Sequence, residues 1–119
     1  NIRIGNVWLG EVPNPTDKSF EQFVRMEYGI RAACVLLRRY IRRYGRNTIT
    51  SIVSAWAPSS ENNTIAYIDK VSQLSKVAAD TPIKYEDKET MCAIIGAMCF
   101  VENGQSVSEA AISKGYDMA

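Results

Sequence analysis

Apolar residues recur every three to four positions along most of the chain, and only its first two dozen residues break that rhythm. Between Glu27 and Tyr44, at about 100° per residue, Ala33, Leu36, Leu37, Tyr40, Ile41 and Tyr44 fall on one side. Arg31, Arg38, Arg39, Arg42, Arg43 and Arg46 fall on the other. The split predicts an amphipathic helix with Gly45 as its C-cap, and the late arginines suit the negative end of the helix dipole. Thr48 caps a second helix carrying Ile49, Ile52, Val53 and Trp56, which Pro58 stops. After a polar loop, Ser59 to Asn63, Thr64 starts a third helix to about Lys76 with Ile65, Ile68, Val71 and Leu74 inward. Asp80-Thr81-Pro82 is a connector. Asp87 caps a fourth helix, about Lys88 to Glu102, whose long apolar surface (Met91, Ile94, Ile95, Met98, Val101) predicts a central position; Asn103-Gly104 ends it. Ser106-x-x-Glu109 reads as a capping box opening a short last helix that Gly115 closes.

Residues 1–24 differ in kind. Ile2 and Ile4 alternate with polar residues, Gly5-Asn6 marks a turn, Val7-Trp8-Leu9 is a short apolar run, and Pro13-Asn14-Pro15 is rigid and extended. Phe20, Phe23 and Val24 follow. One or two short strands with loops are expected here. The 119 residues suffice for one domain with one core. The expected architecture is a single domain over 1–119, mainly α, with a strand/loop region over 1–24 and about five helices over 27–119. It becomes α+β if the N-terminal segment forms strands.

Composition changes this picture mainly by an absence. There are 14 Lys and Arg, 13 Asp and Glu, and no histidine. Without histidine there is no Ser-His-Asp triad, no Cys-His pair and no His-bearing zinc site, so acid/base work falls to carboxylates, tyrosines, lysines or thiols. No metal site or cofactor is expected. Cys34, Cys92 and Cys99 do not suggest a disulfide framework, and Cys92 and Cys99 lie two helical turns apart, roughly 10 Å. They read as reduced apolar fillers with no cation beside Cys92 or Cys99 to favour a thiolate. No stretch reaches the ~20 apolar residues of a membrane span. No signal peptide is recognised, and the missing initiator Met reads as a chain trimmed at its start.

Three groups of residues are candidates for function. The six arginines of the basic face could meet nucleic acid or another polyanion, although no stacking aromatic is interleaved with them; they equally suit a solvated face whose stems cover the core. Glu102, after the apolar helix and before Asn103-Gly104, would become a general acid if burial against Met98 and Phe100 raised its pKa; alternatively it is an exposed helix-terminal carboxylate. Trp56, Glu61, Asn62, Asn63 and Thr64 bring an aromatic face, a carboxylate and carboxamides into one region, a mixture suited to a sugar. The alternative there is a core tryptophan followed by helix-capping residues. Trp8 with Glu11 is a weaker site of the same kind.

Several motifs combine into a recognisable set. They are Asn1-Ile2-Arg3, Trp8-x-Gly10, Phe20-x-x-Phe23, Tyr28-Gly29-Ile30-Arg31-Ala32 and Leu36-Leu37-Arg38-x-Tyr40. Asn47-Thr48-Ile49, Trp56-Ala57-Pro58-x-x-Glu61-Asn62-x-Thr64 and Tyr67-Ile68 complete the set. Over about the first 70 residues the chain resembles the small "structural protein" family encoded by phages and prophages. More distantly it is similar to lysozyme-like peptidoglycan hydrolases and lytic transglycosylases, in which a catalytic Glu in a Glu-Ser-Gly motif ends a helix. Glu102-Asn103-Gly104 would be the counterpart, in permuted order and with Asn in place of Ser. This likeness implies a lysozyme-like helical domain in a virion-associated protein that binds or cleaves peptidoglycan at the cell wall. It implies Glu102 as the single catalytic acid (Glu61 as the alternative), with Trp56, Glu61, Asn62, Asn63 and Trp8 on the glycan. The competing expectation is a non-enzymatic structural or assembly protein, in the virion or in the bacterial cytoplasm before assembly. Its basic helix would contact nucleic acid or a capsid partner.

Overall fold

A computed structural model describes the backbone of residues 19–56 and 61–119, and side chains over 26–56 and 63–119. Five helices occupy these residues: α1 Ser19–Tyr44, α2 Ile49–Trp56, α3 Glu61–Ser75, α4 Lys88–Asn103 and α5 Glu109–Met118. The mainly helical architecture is as expected. Of the strand/loop region expected over 1–24, residues 19–24 are instead helical and open α1, and the rest, Trp8 with it, lies outside the described residues.

Helix α1 starts at Ser19, eight residues before the expected Glu27. Phe20, Phe23, Met26 and Ile30 continue the three-to-four spacing of Ala33 and Leu37, and no Gly or Pro lies between Pro15 and Gly29 to interrupt it. Its buried stripe is Ile30, Ala33, Cys34 and Leu37. Tyr44, expected on the core side, is the last residue of the helix and is 60% exposed. Gly45 then takes a left-handed φ of 68°, open to glycine without strain.

Short-range chemistry sets the other boundaries. Thr48 and Ser51 cap α2 reciprocally: the Ser51 amide donates to Thr48 Oγ1 and the Thr48 amide to Ser51 Oγ, each at 3.1 Å. Asp87 caps α4 by accepting from the Thr90 amide at 3.3 Å and the Thr90 hydroxyl at 2.7 Å, which holds its carboxyl below the usual aspartate range. Gly104, at φ 72°, closes α4 by donating to the Phe100 carbonyl. The cap of α5 is Ser108, accepting from the Ala111 amide, and not Ser106: the helix begins at Glu109, so the expected box is two residues out of register.

Helix α4 is central. It packs on α3, α5 and α1, and buries Met91, Ile94, Ile95, Ala97, Met98 and Cys99. Each fully buried isoleucine is worth about 2 kcal/mol of removed apolar surface. On α3 the inward face is Val71 with Tyr67 and Ile68, whereas Ile65 and Leu74, expected inward, are 50% and 42% exposed. The helix starts three residues before Thr64, and its only fully buried apolar residue is Val71. Helix α1 packs chiefly on α5. Gly115 does not close α5; it lies inside it, where an added Cβ would fall 2.5 Å from Ile30 Cγ2 and 3.0 Å from the Glu27 carbonyl oxygen. Glycine is required there by backbone proximity, not by a helix stop. Among the described residues no helix is long and apolar enough to cross a membrane.

Candidate functional site

Glu102 sits in the last turn of α4, where three helices meet. Its Oε2 accepts from Trp56 Nε1 at 3.2 Å and from the Tyr67 hydroxyl at 2.9 Å. The partners come from the end of α2 and the second turn of α3, 46 and 35 residues away. Trp56 is 5% exposed, so its ring is a core side chain whose N–H needs an acceptor, and Glu102 supplies one. Burial first, and then the neighbouring Glu102 charge, push the Tyr67 phenol well above its usual range and keep it a proton donor.

The cavity at this junction measures about 10 Å³ and is walled by Leu37, Trp56, Ile95, Met98, Cys99 and Glu102, among others. A void of that size holds one water at most. Glu61 opens α3, and its side chain and that of Asn62 lie outside the described residues. Asn63 is exposed on the first turn of α3. Of the sugar-site candidates, then, the structure brings Trp56 and Glu102 into contact. Tyr67 completes the junction and was not singled out as a site residue. Its place eleven residues after Trp56 carries no periodic signal linking the two.

The basic face is largely engaged within the molecule. Arg31 Nε donates to the Met118 carbonyl and Arg38 Nη1 to the Ala119 carbonyl, each at 3.2 Å, so α1 supplies cations to the C-terminal end of α5. Arg42 pairs with Glu86 and thereby lowers the Glu86 carboxyl below its usual range. Arg46 Nη1 donates to the Ser51 carbonyl at 2.9 Å. The Arg38 and Arg42 guanidinium carbons lie 5.4 and 5.6 Å from the Tyr85 ring centroid, and that ring stacks on Tyr116 at 5.0 Å and 20°. The Tyr85 hydroxyl is buried beside the Cys34 thiol without a hydrogen bond of ordinary geometry. Arg39 makes no ion pair or hydrogen bond among the described residues and is exposed, as is Arg43, whose guanidinium lies 5.9 Å from the Tyr44 ring centroid.

All three cysteines are free, and burial dominates their acidity. The Cys34 and Cys99 thiols are each pushed up to about 12. Half-buried Cys92 does have a cation beside it, contrary to expectation: Lys88, one turn earlier on α4, offsets burial only in part and the thiol stays above its usual range.

Comparison with known proteins adds kinship to this geometry. Protein P5 of Pseudoalteromonas phage PM2 is 35% identical over 114 residues, covering 95% of this chain and 69% of that protein. The chain belongs to the family of this phage protein. No protein-family model matches it, and no solved structure does. The resemblance to a phage-encoded family therefore stands, while the likeness to lysozyme-like hydrolases finds no support in the comparisons. The P5 match spans nearly the whole of the chain.

Proposed function

We propose that this chain is a non-enzymatic structural or assembly protein of a phage particle. The observation that carries the reading is how its conspicuous polar groups are used. The Glu102 carboxylate joins α4 to Trp56 and Tyr67, Arg31, Arg38 and Arg42 tie α1 to α5 and to Glu86, and Arg46, just after α1, bonds to α2. Kinship with a phage protein supplies the setting. The reading expects the chain in purified particles by mass spectrometry and no clearing of isolated sacculi by the purified protein.

A second reading, a peptidoglycan-binding or peptidoglycan-cleaving virion protein, is favoured by one observation: Trp56 and Glu102, distant in sequence, meet at the end of a helix. In it Glu102 would protonate the glycosidic oxygen and then act as base, with Glu61, Asn62 and Asn63 along the glycan. Turbidity clearing by the unaltered protein, lost in Glu102→Gln, would carry that reading and overturn the structural one.

A further inference from the structure

We infer that the end of the molecule formed by the last turns of α1 and the 76–87 connector is a docking surface for single-stranded nucleic acid. The inference rests on the reading of the chain as a structural or assembly protein and names a partner for it. The connector is joined by backbone to the residues that follow α1. The Ile83 amide donates to the Asn47 carbonyl at 2.8 Å, and the Thr50 amide to the Ala79 carbonyl at 3.0 Å. Tyr85, two residues after Ile83, lies under Arg38 and Arg42. The residues so gathered, 38–48 and 76–87, hold seven Arg and Lys against Asp80, Glu86 and Asp87, whereas the rest of the chain holds seven against ten acids. A nearly neutral molecule thus concentrates +4 at one end. Such a concentration attracts polyanions and raises their association rate.

Of the three acids at this end, Glu86 pairs with Arg42 and Asp87 accepts from Thr90, while Asp80 is exposed. Arg39 and Arg43, one turn apart on α1, stay exposed with Lys76 and Lys84 on the adjoining connector. What selects nucleic acid over an acidic protein or a lipid surface is Tyr44. Its ring is 60% exposed beside the Arg43 guanidinium, leaving an aromatic face next to a phosphate-binding cation. That pairing stacks an unpaired base while the backbone is neutralised. A groove of about 510 Å³ runs along the connector itself, lined by Lys76, Lys84, Thr81, Pro82 and Asp87 among others.

Fluorescence anisotropy with a homothymidine oligonucleotide about 20 nucleotides long tests this at about 50 mM salt. Binding that weakens steeply with salt is expected. Arg39→Gln with Arg43→Gln should weaken it about tenfold or more and flatten the log–log salt slope by about 1.4, the value for two phosphate contacts to a single strand. Tyr44→Ala should weaken it about tenfold while Tyr44→Phe retains it. All three positions are exposed, and circular dichroism should show each variant folded. Absence of binding at low salt, or binding indifferent to these changes, overturns the inference. Equal affinity for anionic vesicles or an acidic peptide, insensitive to Tyr44→Ala, overturns the nucleic-acid assignment. Incorporation into particles, measured separately, tests the structural reading: a chain that is packaged but binds no oligonucleotide refutes the inference alone.

Discussion

Two junctions hold this bundle, and they work by opposite means. At the Glu102 junction a single half-buried carboxylate meets two neutral donors beside an apolar wall, so removing the acceptor leaves the buried Trp56 N–H without its partner. At the α1–α5 seam the intimacy is steric, Gly115 against Ile30, and the polar fastenings around it are arginines at or near the surface. Polar groups dominate one junction and close backbone approach the other.

The comparison can be broken from its strong end. Gly115→Val puts a branched side chain where even Cβ meets Ile30 and the Glu27 carbonyl. It should cost roughly 3 kcal/mol or more in urea unfolding, with partial recovery when Ile30→Ala makes room. If Gly115→Val is tolerated, the seam is not sterically set. Next, Glu102→Ala leaves the Trp56 and Tyr67 donors without their acceptor and should cost about 2 kcal/mol, whereas Glu102→Gln, which keeps an acceptor, should cost less than half of that. Equal losses would mean that charge, not hydrogen bonding, holds the junction.

Thiol labelling reports on the two regions separately. At pH 8 Cys92 should react first with a disulfide reagent, and Cys34 and Cys99, with acidities near 12, should react only on unfolding. In Gly115→Val, Cys34 on α1 should speed up before Cys99 on α4; simultaneous exposure would show the two junctions opening as one. The smallest effects belong to the surface carboxylates. Asp87 has a lowered folded pKa, so its contribution is complete above the ordinary aspartate value of about 4 and is lost as pH falls through the folded value below it. Asp87→Asn should flatten that part of a melting-temperature profile. Arg42→Ala should leave the melting temperature nearly unchanged, since its pair with Glu86 is 54% and 66% exposed.

Most of the bundle was legible in the sequence because helix periodicity and caps are local. The α2 stripe, the Asp87 cap and the Gly104 stop all act within a turn or two. Errors arose where a residue's role came from a distant partner. Gly115 looks like a helix stop until Ile30, 85 residues earlier, is laid against it. Tyr44 continues the α1 stripe on a helical wheel, but a wheel does not know where the packing ends. The site was legible in part. Trp56 and Glu102 each stand out by residue type and position, while their meeting, Tyr67 and the use of the arginines as fasteners depend on tertiary placement that no spacing encodes.

The partnership of α1 with α5 also orders events in time. A nascent chain that has not yet emerged past Gly115 carries Ile30 on a long helix without the α5 backbone that packs against it. Contacts of such sequence separation form late, because loop closure precedes their reward. Premature truncation anywhere before α5 therefore should yield not a smaller stable bundle but an exposed apolar ridge prone to self-association, and the cell would meet that species as a client for chaperones.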